Sequence, residues 1–382
     1  MAHHNTILGQ ILKMIPRHEF EVLANTYHCG RKFRSASRWS QFVAMAIAQL
    51  TGRLSLRDTI AGIKTQRHRL YHLGASVLSR SNLSRINENK PCALYEALFG
   101  KLLKRCQSMA PRHGFRFKNK LVSLDATTID LCLSVFPWAE FRATKGAVKL
   151  HVGMDHSGYL PSFVHITPGK IHEIEIARQM QLPKGSIVTM DRGFTDYQWY
   201  QHLTNKKVHF VTRVKKNAKY QVIERKTVSR TQGITSDQII RLNGTKATHC
   251  PTPLRRVGFK DPVTKIHYAF LTNNLKLSAK TIAQIYKSRW QIELFFKWIK
   301  QNLKIKAFLG TSKNAVLTQI WIAMCVYLLL AFLKFQSQTA SSLQKLLRQL
   351  QLNLFEKRDL FALLRGDPPP GLPIDEKQMV LL

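Results

Sequence analysis

The chain has 382 residues, with 59 Lys and Arg against 22 Asp and Glu, a formal net charge of +37 and 45% hydrophobic residues. That apolar content supplies a packed core and excludes a disordered basic tail, and the polyanion expected for a folded chain with a pI near 10.3 is nucleic acid, with an anionic membrane surface or a ribosomal location as the alternatives. The length calls for two or three domains, and six scattered cysteines without a Cys-x-x-Cys pair suit a reduced cytosolic protein and argue against a zinc site.

Residues 1–110 read as helical. No basic segment followed by an apolar core opens the chain, so no signal peptide is expected. Ile7, Ile11, Ile15 and Phe20, then Phe42, Ala46, Ile47 and Leu50, recur near helical spacing. Basic residues outnumber acidic ones 17 to 5 in this segment. One basic cluster joins Arg31, Lys32 and Arg34 to Arg38; Arg67-His68-Arg69 is a second, and Ser79-Arg80-Ser81-Asn82-Leu83-Ser84-Arg85 a third. Ser, Asn and Arg around a helix start suit phosphate contacts and base readout, so 1–110 reads as a helical, basic, DNA-binding domain. The blander reading is a solvated basic face.

From about residue 115 the pattern turns to strands at 121–125, 148–154 and 160–166, with Asp155-His156-Ser157-Gly158 as a hairpin turn. Lys149 and His151 share a face of the middle strand; a lone strand His is more often structural, and both stay outside the catalytic set. Thr167-Pro168-Gly169-Lys170 breaks the third strand, and 171–182 reads as a crossover helix. The run 186–190 then leads into Asp191-Arg192-Gly193-Phe194. Two apolar strands thus end in aspartates, Asp125 and Asp191, where open α/β sheets carry reacting groups. Either one alone reads equally as a turn residue or cap, and Thr195 and Asp196 stand ready to cap the following helix instead. Between 208 and 272, short β-type runs at 208–214, 220–223, 257–259 and 266–271 carry 13 basic and 3 acidic residues. They read as a β-rich insertion that grips DNA, with a purely structural brace as the other reading.

Ser278 is a fair N-cap for a helix leading into 286–300. Wound at about 100° per residue, that segment gathers Tyr286, Arg289, Glu293, Lys297 and Lys300 into one narrow stripe. Ile292, Leu294, Phe295, Trp298 and Ile299 fall on the opposite face. One carboxylate among cations and a phenol suits a phosphodiester with a divalent ion; the bland alternative is a surface helix with i,i+4 Glu–Lys pairs. The apolar run 320–333 is shorter than the roughly 20 residues of a membrane span and reads as a buried core helix. One or two further helices follow to residue 364, and a Pro-rich mobile tail covers 365–382.

Tyr286, Arg289, Glu293 and Lys300, separated by two, three and six residues, match the Y-R-E-K signature of a group of bacterial insertion-sequence transposases. Together with Asp125, the Asp191-Arg192-Gly193-Phe194 context and the stretch Thr167-Pro168-Gly169-Lys170-Ile171-His172-Glu173, they make the chain resemble these DDE transposases over nearly its whole length. The resemblance implies an α/β fold: an RNase H-like catalytic core over 115–364 with a β-rich insertion at about 208–272, preceded by the helical domain. It implies Asp125, Asp191 and Glu293 as catalytic residues and ligands of two Mg²⁺ ions, with Mn²⁺ as substitute. Tyr286, Arg289 and Lys300 would contact the DNA end. The expected activity is cut-and-paste transposition: hydrolysis at the element end, attack by the freed 3′-OH and strand transfer, often through a hairpin in the resembled group. Expected partners are double-stranded DNA, as terminal inverted repeats and target, and a second protomer in a synaptic homodimer. No membrane partner is expected, and the expected location is the nucleoid-associated cytoplasm. The rival readings are an RNase H-like nuclease without strand transfer, a non-catalytic DNA-binding derivative, and an RNA-binding or ribosomal protein.

Overall fold

The computed structural model describes residues 5–31, 33, 36–142, 145–228 and 232–368, with Arg142 described by its backbone alone. The chain divides into two compact units, one of Met1–Ala110 with Trp298–Leu382, the other of Pro111–Lys297.

The first unit opens with helices α1 (Ile7–Leu12), α2 (Arg17–Thr26), α3 (Arg38–Thr51), α4 (Leu56–Thr65), α5 (Arg67–Leu70), α6 (Arg80–Asn89) and α7 (Ala93–Met109). Their starts are set locally: the hydroxyls of Thr6, Ser37, Ser55 and Ser79 each accept an N–H three residues on. Helix α3 is buried from Arg38 through Leu50, and Gly52 ends it at a φ of +70°, a conformation open to a residue without Cβ.

The second unit holds β1 (Leu121–Leu131), β2 (Glu140–Arg142), β3 (Lys145–Asp155), β4 (Leu160–Pro168), α8 (Glu173–Ala177), β5 (Ile187–Met190), α9 (Tyr197–Asn205), β6 (His209–Arg213), β7 (Tyr220–Arg225), β8 (Ile234–Leu242), β9 (Leu254–Lys260), β10 (His267–Thr272) and α10 (Ala279–Ser288). The strands form one sheet in the order β2-β3-β1-β5-β6-β10-β9-β8-β7, with β4 also on β3. β1, β3 and β4 pair antiparallel, whereas β1, β5 and β6 run parallel. This is the RNase H-like core. At the β3–β4 turn Asp155 Oδ1 accepts the Ser157 N–H at 2.9 Å, and Gly158 takes a φ of +68°.

Three expectations change here. Asp125 does not end its strand but lies within β1, which continues to Leu131. The crossover helix is one short element, α8, rather than 171–182, because Gln179 and Met180 close it with tight i→i−3 bonds ahead of Pro183. The β-rich insertion begins after residue 213 rather than at about 208. β6 belongs to the parallel core, and the antiparallel meander β7–β10, including the unforeseen β8, returns to pair with β6 through β10.

Helix α11 (Trp290–Asn302) carries the chain from the second unit into the first. There α12 (Lys313–Ser337), α13 (Leu343–Asn353) and α14 (Leu360–Arg365) join the N-terminal helices rather than extending the catalytic unit to residue 364. Asn314 Nδ2 donates to the carbonyls of Asn87 and Lys90 at 2.8 and 2.7 Å, and the Cys106 thiol to that of Leu328 at 3.3 Å. Helix α12 is long and apolar enough to cross a membrane by composition, yet 89% of its apolar window is buried in protein. Arg365 ends α14 and so is not part of an irregular tail; residues 369–382 lie outside the described residues.

Candidate active site

Two neighbouring parallel strands place the aspartates. Leu124 of β1 is in register with Met190 of β5, so Asp125 and Asp191 follow side by side, one strand spacing of about 5 Å apart along the sheet. Alternation sends Val122, Leu124, Val188 and Met190 into a core shared with α9. Leu121 and Ile187 face the other way, into a core with Ile282, Ala283 and Ile285 of α10. Asp125 shares the phase of Leu121, and it is on this face that it meets the signature segment.

That segment is two helices, not one. Arg289 lies between α10 and α11, with i→i−3 bonds from its own N–H to Tyr286 O and from Ile292 N–H to its carbonyl, each 3.1 Å. Its dihedrals (φ −54°, ψ −30°) stay helical, so the stripe survives the tightening. Ser278 caps α10 as expected, accepting the Thr281 N–H at 3.1 Å. The apolar face is buried at Ile292, Phe295 and Ile299, while Leu294 is exposed.

Arg289 is the hub. Its Nη1 reaches Asp125 Oδ2 at 3.2 Å, its Nη2 pairs with Glu293 Oε1, and its guanidinium carbon lies 5.6 Å from the Tyr286 ring centre. Burial would lower its pKa, but Tyr286, Asp125 and Glu293 together raise it. Asp191 caps the turn that follows β5, Oδ1 accepting the Gly193 N–H at 2.8 Å, while Thr212 of β6 holds the Asp191 carbonyl at 3.0 Å. Asp196, not Asp191, caps α9.

Burial pushes the Asp125 carboxyl up to about 6; the Ala126 N–H and Arg289 oppose the rise, and Asp191 and Glu173 add to it. Its folded-state pKa lies above the ordinary value of 3.8, so its stabilising contribution is full below about pH 4 and lost as pH rises through about 6. At neutral pH the ionised group costs on the order of 2–3 kcal/mol. Asp125→Asn is therefore expected to melt higher than the parent at pH 7.5 in EDTA, the gap closing toward pH 4; a parent that melts equally high or higher at pH 7.5 would contradict this.

The other candidates separate by burial. Lys297 is exposed one turn beyond Glu293; Lys300 is half-buried and belongs, with the end of α11, to the first unit. Arg31, Arg80 and Arg85 are exposed, with Arg85 held by Asn82 Oδ1 at 2.9 Å. Arg38 does not join them. It is 4% exposed, donates to Pro91 O at 2.8 Å and lies over the Tyr95 ring, so its charge serves helix packing. Lys32 and Arg34 lie outside the described residues. His151 is structural, buried against Thr167 Oγ1 at 2.9 Å, and burial holds its pKa at about 4.

One acid was missed. Glu173 opens α8, and a Cβ on Gly193 would lie 3.2 Å from its Oε2 and 3.0 Å from Asp191 Oδ1. Its signal was available in the Thr167–Glu173 stretch, singled out without a role.

The donor set suits a hard divalent ion, since every candidate ligand atom is a carboxylate oxygen. Gly193 brings no Cβ to a place that lies 3.2 Å from Glu173 Oε2 and 3.0 Å from Asp191 Oδ1. Among the described residues no three His, Cys, Asp or Glu side chains form a closed metal cage. The Arg289 guanidinium pairs with Asp125 Oδ2 and Glu293 Oε1, so an ion taking those two oxygens would compete with it.

An RNase H-like sheet with carboxylates at its parallel strands and a cation beside them defines a class of phosphoryl-transfer enzymes that act on nucleic acid. Residues 116–329 match the transposase DDE domain family, and residues 3–76 match a domain of unknown function, DUF4372. The chain is 32% identical over 299 residues to y4zB of Sinorhizobium fredii, named as a transposase, covering 76% of this chain and 81% of that one. It is 28% identical over 262 residues to a Geobacillus stearothermophilus protein named as a transposase for insertion sequence element IS5377, 68% of each chain. The solved piggyBac transposase synaptic complex with hairpin DNA aligns at a TM-score of 0.44 and 12% identity over 96% of this chain and 80% of that one, a likeness too loose to bear weight. The chain belongs to the DDE transposase family. It is a DNA transposase, an enzyme that binds DNA, and membership implies dependence on divalent metal ions.

Proposed function

We propose that this transposase mobilises an insertion sequence by cut-and-paste, cleaving at the terminal inverted repeats and transferring the freed 3′ ends to target DNA. Asp125, Asp191 and Glu293 would hold two Mg²⁺ ions, for which Mn²⁺ could substitute. When bound, the ions supply Lewis acidity at the attacking and leaving oxygens of the scissile phosphate. The single observation that supports this most is the convergence of Asp125, which like Asp191 directly follows the paired Leu124 and Met190, with Glu293 through Arg289.

The chain's own groups do the rest. Asp125 and Asp191 are fixed by strand register and by the Thr212 bond, which sets their separation before substrate arrives. Arg289, whose fork lies against Asp125 and Glu293, would offer it to a phosphate of the DNA end. Tyr286 stacks beside that fork and Lys297 and Lys300 continue the basic stripe along α11. Arg31, Lys32, Arg34, Arg80 and Arg85 of the helical domain engage the flanking duplex, working on nucleoid DNA in the cytoplasm. Synapsis of two ends needs two protomers, hence a homodimer in the synaptic complex.

A marker flanked by the element's ends tests the reading: wild type should excise it, Glu293→Gln should not, and excision by the variant would overturn it. Lys297→Ala and Lys300→Ala should each weaken binding to the element end and lower the salt-dependence slope by about one. Unchanged affinity and slope in a titration over several salt concentrations would remove them from the DNA contact set.

A further inference from the structure

We propose that Glu173 is a fourth carboxylate of the catalytic site, sharing with Asp191 the binding of a divalent ion. The inference rests on the active-site reading above and extends it by one ligand. Glu173 Oε2 and Asp191 Oδ1 bracket the Gly193 position, at 3.2 and 3.0 Å from where its Cβ would stand, so the two oxygens are no more than about 6 Å apart. One ion with a bridging water, or a pair of ions, spans that separation. Any side chain at residue 193 would crowd both carboxylates, which gives the glycine of Asp191-Arg192-Gly193-Phe194 a reason beyond its turn.

Nothing in its own helix uses the Glu173 carboxylate. The α8 capping box is closed by Glu175, whose Oε1 accepts the His172 N–H at 3.1 Å. The cation near Glu173, Lys149, has its ammonium drawn to Ile171 O at 2.9 Å and stands 3.9 Å from Glu173 Oε1, a loose pair. Helix α8 is packed by Ile176 and Ala177, which holds Glu173 at the rim beside Asp125, Asp191 and Gly193. Burial raises its pKa, with Lys149 opposing the rise and Asp191 adding to it.

The test is a Mn²⁺ titration of the full chain bound to an element end carrying an uncleavable linkage, read as free Mn²⁺ by electron paramagnetic resonance. Glu173→Gln is expected to weaken Mn²⁺ binding about tenfold or more while DNA affinity is kept, and Glu175→Gln to leave it unchanged. Lys149→Met separates ligand from partner: the proposal expects Mn²⁺ binding retained or tightened, whereas the same loss as Glu173→Gln would mean that only the ion pair mattered and would overturn it. Asp191→Asn is the reference. Parental Mn²⁺ binding by Glu173→Gln, with binding lost in Asp191→Asn, sinks the Glu173 assignment alone; parental binding by both sinks the active-site reading itself.

Discussion

Asp191→Asn is expected to lower strand cleavage at the element end by at least about a thousandfold, roughly 4 kcal/mol in the barrier, with DNA affinity within a few-fold of the parent. Asp191 follows Met190 directly at the mouth of the parallel strands, and its backbone is tied to Thr212 whatever its side chain carries. The amide keeps shape and can still accept the Gly193 N–H, so the turn after β5 survives. What is lost is one full negative charge from an oxygen-donor set, and with it the ability to hold a hard cation. DNA affinity rests instead on a basic chain of net charge +37, which the substitution raises slightly. Single-turnover nicking and a binding titration on the same preparation separate the two; lost binding with unaltered nicking per bound molecule would remove Asp191 from the chemistry.

Arg255→Ala should be the most damaging change away from the active site, costing about 3–5 kcal/mol of stability in the second unit. Arg255 of β9 and Asp237 of β8 form a two-pronged pair, at 2.8 and 2.6 Å, with side chains only 5% and 7% exposed. The remaining Nη1 donates to the carbonyls of Leu277 and Asn274, just ahead of α10. Truncation leaves a buried carboxylate without its partner and frees the lead-in to the helix that carries Tyr286. Cleavage should therefore fall with stability. Replacing both partners by apolar residues of nearer volume, Arg255→Met with Asp237→Val, should recover most of the stability but not the tether on α10. Thermal melts with cleavage assays below the transition check both parts; a single variant melting within a degree of the parent would refute the role given to the pair. The same pair ties the meander to the lead-in of α10, whatever contact the 13 basic residues of 208–272 make with DNA.

The local placement of the candidate site residues was more legible than the architecture. Asp191, the Ser278 cap and the Tyr286–Arg289–Glu293 stripe could be read from sequence because each rests on local rules: a strand end, a hydroxyl three residues before an N–H, a helical period. The break at Arg289 was hidden because it changes hydrogen bonding without changing the helical phase. Asp125 looked like a strand end because polar Thr127, Thr128 and Asp130 interrupt the apolar run, yet all three lie in β1, paired to β3. β8 was missed for a related reason: Asp237 and Gln238 break the alternation but are buried by partners on β9, a tertiary fact. Arg38 carried the opposite error, a cation counted with a surface cluster and spent inside the helices. Helices α12 to α14 follow the catalytic unit in sequence but pack with α3, α6 and α7, and nothing local encodes which partner an apolar face will find.

The measurement that bears most directly on the central claim is incubation of purified protein with the ends of its own element, with and without Mg²⁺, and mapping of the cut strands. Glu293→Gln is run in parallel. The account predicts Mg²⁺-dependent nicking at the element boundary that leaves a 3′-OH and disappears in the variant. Binding without cleavage under any divalent ion, or cleavage that persists in Glu293→Gln, would contradict it.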